Sequence, residues 1–285
     1  MRKIGETEQI NALIRQGYVP TVFFSSSQGI VVIYMGDNHY KIKYHVLSVV
    51  GNTRTHNEDN LFCDGKTRPV ENEGVYSQSG EVLSADSKIM AVFDGIGGEE
   101  KGEVASSIAS FATHSADFSG DNVGEKILNF ARSINQSVRK YAVDNNIESM
   151  GTTFAGAVFS DTGIHIGNVG DSKVFRLHNG KIKQLSVDHV LPKELAFNNV
   201  ITQYIGMKEE KTPLEPAITF QEYFPGDRYI ICSDGLTEKL SVGDVGALCH
   251  VAKTVEDATD ILVSQALCAG GNDNITVIVC ELENS

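Results

Sequence analysis

Apolar residues recur along this chain with two periods, one near two residues and one near three and a half. Strand-length runs closed by turn residues occur at Tyr18–Phe24, Ile30–Met35, Tyr44–Val50, Lys88–Phe93, Thr152–Phe159 and Gly163–Val169. Further runs follow at Lys173–Leu177, Lys181–Leu185, Ile218–Tyr223, Arg228–Cys232 and Asn274–Leu282. His178-Asn179-Gly180 predicts a hairpin turn, because Asn-Gly takes the two positive φ values that a type I′ turn needs. Helical spacing is clearest over Val123–Ala142, where Ile127, Phe130, Ala131, Ile134, Val138, Tyr141 and Ala142 form one stripe. A helix is expected after Gly98 with Val104, Ile108 and Phe111 inward. Two more are expected at Ser241–His250 and Val255–Ala269, the latter with Ala258, Ile261, Leu262, Gln265 and Ala266 on one side. Strands in hairpin-like groups and helices in pairs predict an α+β fold with antiparallel sheets.

The 285 residues are 41% hydrophobic, which excludes disorder, collagen and coiled coil as the main state. The six prolines are scattered and there is no repeat, so one folded domain is expected, covering 44–285, with residues 1–43 as an N-terminal extension that adds a hairpin. Extension of a sheet edge is the expected use of that hairpin, since its residues are too apolar to stay solvated. The formal charge of −13 and the lack of a basic cluster argue against nucleic acid as a partner. Cys63, Cys232, Cys249, Cys268 and Cys280 form no Cys-x-x-Cys pair, and the N-terminus has no apolar run after its first basic residues. Reduced thiols, no membrane segment and a cytoplasmic, monomeric protein are therefore expected.

Four acidic segments stand at the ends of expected strands, each beside Gly or Asn. They are Asn57-Glu58-Asp59-Asn60 before a short strand, Phe93-Asp94-Gly95 after one, Cys232-Ser233-Asp234-Gly235 after another, and Asn272-Asp273-Asn274 leading into the last. A carboxylate at a strand tip is held rigidly yet faces the rim, and an adjacent Gly admits a backbone carbonyl to the same shell. Such an oxygen set suits Mg²⁺ or Mn²⁺. Any single Asp-Gly after a strand is an ordinary turn; the grouping of four is what points to a site.

These residues resemble the metal-dependent Ser/Thr protein phosphatases, the PPM or type 2C family, and its bacterial branch most closely. The matches are ordered: Arg54-Thr55-His56-Asn57-Glu58-Asp59, then Asp94-Gly95-Ile96-Gly97-Gly98, Gly102-Glu103-Val104-Ala105-Ser106, Met150-Gly151-Thr152-Thr153, Gly170-Asp171-Ser172, Ser233-Asp234-Gly235 and Asp273-Asn274-Ile275-Thr276-Val277. The resemblance implies two packed antiparallel sheets flanked by helix pairs, with two Mn²⁺ or Mg²⁺ ions at one end. It implies that Asp94 bridges both ions, that Glu58 and the Gly95 carbonyl serve one, and that Asp234 and Asp273 serve the other. Asp59 would hold a water from behind, and Arg54 would grip the substrate phosphate. The implied chemistry is hydrolysis of phosphoserine and phosphothreonine by direct attack of a metal-bridging hydroxide, opposed by a Ser/Thr protein kinase.

A third, weaker metal occurs in bacterial relatives, for which Asp144 and Glu148 are both available here. Asp171 reads better as a structural turn residue. Arg54 also has the spacing of a surface pair with Glu58. Ile96 stands where eukaryotic relatives carry a His proposed as general acid and bacterial ones usually a Met, so the leaving group's proton must come from elsewhere; His56 is the nearest imidazole in sequence but reads as incidental. The stretch His189–Gly206, with Leu195-Ala196-Phe197-Asn198-Asn199-Val200 at its middle, is shorter than the bacterial flap. A catalytically inactive scaffold is the competing reading, disfavoured by the complete ligand set, and hydrolysis of a small phosphorylated metabolite is a third.

Overall fold

The computed structural model describes residues 18–26, 29–36 and 40–284, apart from 71–73, 97–100, 161, 193–194, 196–199 and 210–211. Gly97, Gly98 and residues 193–194 and 196–199 of the expected flap thus lie outside the described residues. Fourteen strands are described: β1 (Tyr18–Ser26), β2 (Gly29–Gly36), β3 (Tyr40–Val49), β4 (Asn60–Cys63), β5 (Lys66–Thr67), β6 (Tyr76–Leu83), β7 (Ile89–Phe93), β8 (Phe154–Ser160), β9 (Gly163–Val169), β10 (Lys173–His178), β11 (Lys181–Gln184), β12 (Ala217–Gln221), β13 (Arg228–Cys232) and β14 (Ile275–Asn284). The helices are α1 (Gly102–Ala112), α2 (Val123–Asp144), α3 (Asp234–Thr237), α4 (Val242–Val251) and α5 (Val255–Cys268).

One antiparallel sheet has the order β11-β10-β13-β14-β3-β6 and the other β12-β9-β8-β7-β4-β5. Side chains that alternate inward along β3, β14 and β8, such as Ile42, Tyr44, Ile278 and Ala157, fill the space between the sheets. The other face of the second sheet is covered by α1 and α2, through Ala105, Ala109, Ile127, Ile134 and Val138. On the first sheet's outer face lie α4 and α5, through Val245, Cys249, Leu262 and Ala266. The result is the expected α-β-β-α sandwich.

The hairpin turn forms as read, with Asn179 at φ 49° and Gly180 at φ 72° and His178 paired to Lys181. Ser241 caps α4 in a reciprocal box with Asp244. Other expectations need correction. Among the described residues β1 and β2 pair only with each other, as a two-stranded sheet apart from the two large ones, so they extend neither edge. β6 was not foreseen, because its exposed face is polar and dilutes the alternation. Phe111 is 71% exposed, not inward: the buried stripe of α1 runs through Ala105, Ser106, Ala109 and Ser110, on the opposite side. Tyr141 is likewise exposed, and on α5 Thr259 and Val263 are buried whereas Gln265 is not. All five cysteines are free, four of them buried. No helix among the described residues is long and apolar enough to cross a membrane.

Candidate active site

The acidic strand tips meet at one end of the sandwich. Asp94 follows β7 of the second sheet, while Asp234 follows β13 and Asp273 precedes β14 of the first. They line a cleft of about 310 Å³ together with Arg54, Gly95 and Asp171. The Asp234 amide lies 3.5 Å from Asp94 Oδ2, so the two strand ends touch across the sheets. Asp94 is fixed through its main chain: its N–H donates to Thr153 Oγ1 at 3.0 Å, and its carbonyl accepts from Thr152 Oγ1 at 2.9 Å and Thr153 N at 2.8 Å. Its carboxylate is left to face the cleft.

Glu58 and Asp59 sit on the loop behind this cleft, and the loop is pinned from three sides. Asn274 Oδ1 accepts from Glu58 N at 2.8 Å while its amide donates to the Val50 and His56 carbonyls. Arg68, 2% exposed, donates to the carbonyls of Asn57 and Asp59, both at 2.7 Å through Nη2. Ser106 Oγ and Gly95 N both donate to the Glu58 carbonyl, at 2.6 and 3.2 Å. Gly95 is required here: a Cβ would fall 2.6 Å from the Glu58 oxygen and from the Gly102 backbone. Asp59 is buried and takes a hydrogen bond from Ser233 Oγ at 2.8 Å.

So many carboxylates in one low-dielectric pocket disfavour one another's charge. Burial, then the neighbouring Asp59, Asp234, Asp171 and Asp273, push Asp94 well above the usual carboxylate range. Asp234 is pushed up to about 7 by burial and then by Asp171, Glu238 and Asp273. Burial raises Asp59 to about 6 against the opposing hydrogen bonds from Thr276 and Ser233. Oxygens of Asp234, Glu238 and Asp273 lie within 4.8 Å of one another. A buried oxygen of Asp171, Oδ1, has no partner among the described residues. An acidic pocket of this kind is relieved by cations, and its all-oxygen donors fit hard divalent ions.

Arg54 pairs with Asp273, Nη2 to Oδ2 at 2.8 Å, rather than with Glu58; it is His56 that reaches Glu58, at 3.3 Å. Asp171, read from sequence as a turn residue, is 2% exposed and lines the cleft, and burial raises its carboxyl despite Lys173. It ends the apolar strand β9 beside a Gly, the same signal that marked the other tips. Asp144 is exposed and paired to Lys140 at 2.6 Å, and Glu148 is exposed; neither lines the cleft. Glu238 was missed too, although its i, i+4 spacing from Asp234 puts both on one helical face.

Residues 56–267 match the family model described as Protein phosphatase 2C. The chain belongs to that family. It is 27% identical over 254 residues to the serine/threonine protein phosphatase PstP of Mycobacterium tuberculosis, covering 85% of this chain but only 45% of that one. It is also 27% identical to the serine/threonine phosphatase stp of Listeria monocytogenes, over 81% of this chain and 92% of that one. The crystal structure of the M. tuberculosis phosphatase superimposes with a TM-score of 0.70 at 26% identity, covering 86% of this chain and all of that one. A structure of the catalytic domain of a serine/threonine protein phosphatase PstP in complex with two manganese ions superimposes with a TM-score of 0.69 at 25% identity, over 86% of this chain and all of that one. Protein phosphatase 2C membership thus rests on both the sequence match and the sandwich.

Proposed function

We propose that this chain is a metal-dependent phosphatase that removes phosphate from serine and threonine residues of proteins. The observation that carries the reading is the convergence of Asp94, Asp234 and Asp273 on one cleft whose rim holds Arg54. The manganese-bound relative supports two divalent ions, Mn²⁺ or Mg²⁺, as the cofactors. In this reading Asp94 would contribute to holding both ions, with Glu58 and the Gly95 carbonyl as the further groups that would hold one and Asp234 and Asp273 those that would hold the other. Asp171 and Glu238 are available to a third, weaker ion. When bound, the ions supply Lewis acidity and make hydroxide available near neutral pH.

The chain's own residues do the rest. Arg54 presents a planar fork of donors, and phosphate competes for it with Asp273, so substrate and carboxylate share one guanidinium. Asp59, held by Ser233 and buried, accepts a hydrogen bond from water in the cleft and orients it. Residues 44–285 form the catalytic unit and 1–43 an extension. A Ser/Thr protein kinase supplies the substrates, and the enzyme works as a cytoplasmic monomer. The inactive-scaffold alternative is disfavoured because no expected ligand is missing.

The test is hydrolysis of p-nitrophenyl phosphate and a phosphothreonine peptide with Mn²⁺, with Mg²⁺ and with EDTA, alongside Asp94→Asn. Activity that needs a divalent ion and is lost in the variant supports the reading. Activity indifferent to EDTA, or a folded protein that binds Mn²⁺ and turns over neither substrate, overturns it.

A further inference from the structure

Cleaving a serine or threonine phosphate leaves charge on an aliphatic oxygen, and an alkoxide departs slowly unless a proton reaches it. Ile96, on the cleft wall beside Asp94 and Gly95, has no proton to give. The Asp94, Asp171, Asp234 and Asp273 carboxylates of the cleft are given to cations in the reading above. Arg54 holds its proton more tightly than usual because of its hydrogen bond to Asp273. Thr153 Oγ1 is occupied by the Asp94 amide and by Ser172 Oγ at 2.6 Å. His56 is exposed, pairs with Glu58 and does not line the cleft. Among the described lining residues, that leaves the phenol of Tyr204.

Tyr204 is half-buried and held in place from two sides. Its ring lies against Gly151, where a Cβ would fall 2.5 Å from Cδ2 and 2.9 Å from Cε2. The next residue, Ile205, exchanges backbone hydrogen bonds with Thr152 at 2.8 and 3.0 Å, and Thr152 bridges to Gly95. The ring is thereby tied to the segment that carries Asp94. Its hydroxyl has no hydrogen-bond partner among the described residues, and a phenol is far more acidic than an aliphatic alcohol.

We propose that Tyr204 is the general acid of this phosphatase, a role that rests on the function proposed above. As oxygen from water bonds to phosphorus, the bond from phosphorus to the seryl or threonyl oxygen breaks and its electron pair stays on that oxygen. The Tyr204 hydroxyl delivers its proton there, and the phenolate is reprotonated from solvent.

The test compares wild type with Tyr204→Phe, which removes one oxygen and keeps the ring, on two substrates at saturating Mn²⁺. p-Nitrophenolate leaves without a proton; threonine does not. The expected result is a fall of about 10²-fold in kcat on a phosphothreonine peptide, with p-nitrophenyl phosphate turnover near wild type and unchanged melting temperature with and without Mn²⁺. Equal losses on both substrates would mean that Tyr204 only shapes the cleft, and no loss on the peptide would mean that the proton comes from another group; either overturns the proposal. A wild type inactive on both substrates would instead remove the phosphatase reading beneath it.

Discussion

Arg54 donates from Nη2 to Asp273 Oδ2 at 2.8 Å, joining the loop after β3 to the residue group that leads into β14. Both partners are partly solvent-exposed, so the pair itself contributes little to stability. Its value lies in aiming the guanidinium at the cleft. Arg54→Ala is expected to lower phosphopeptide kcat/KM by about 10²-fold with little change in melting temperature. Arg54→Lys keeps the charge but loses the fork, and should recover only part of that loss in the same assay.

Asp94→Asn removes a charge that burial and four neighbouring carboxylates already disfavour. In EDTA the variant should therefore melt a few degrees above wild type, and in Mn²⁺ it should gain less stability than wild type does. Differential scanning calorimetry in both buffers reads this. A variant less stable than wild type in EDTA would contradict the electrostatic account.

The raised carboxyls also set a pH dependence. Asp234 titrates near 7 and Asp59 near 6 in the folded chain, against about 3.9 when unfolded. The folded state binds the extra protons, so the stability they contribute is complete below about pH 4 and lost as pH rises through about 7. Metal-free protein should accordingly lose melting temperature between pH 5 and about pH 8, and Mn²⁺ affinity by calorimetry should rise over the same interval as protons cease to compete.

Arg68→Leu strips the donors from the carbonyls of the buried residues Asn57 and Asp59. Each orphaned buried acceptor costs about 1–3 kcal/mol. A large drop in urea midpoint is expected, with weaker Mn²⁺ binding because Glu58 and Asp59 lose their support.

His56→Ala should keep most activity, since His56 is exposed and its contact with Glu58 is a long one at 3.3 Å. A turnover loss matching that of Asp94→Asn would refute this.

How much of this was legible in the sequence depends on range. The strand-tip carboxylates were readable because each sits at the junction of an apolar run and a Gly or Asn, a local signal. Asp171 carries the same signal and was passed over because a Gly-Asp-Ser turn between two strands has an adequate local explanation; only the fold shows that its side chain is turned inward and, among the described residues, lacks a partner at Oδ1. Arg68 and Asn274 were invisible for a different reason. Their hydrogen bonds reach 11 and 224 residues along the chain to the groups they hold, and nothing in spacing encodes that. Phe111 was misplaced because three apolar residues at helical spacing allow two phases, and the small residues Ala105 and Ala109 chose the one that lets α1 approach the sheet.

The carboxylates come from both layers of the sandwich, Asp94 from one sheet and Asp234 with Asp273 from the other. An ion shared among them would act as a rivet between layers that otherwise meet through side-chain packing and a few hydrogen bonds, such as Gln78 Nε2 to the Cys63 carbonyl. Amide hydrogens at the site ends of β7, β13 and β14 should then exchange more slowly in Mn²⁺ than in EDTA, while those at the far ends of the same strands stay unchanged. The sandwich would breathe from its cation end when empty and from the opposite end when loaded.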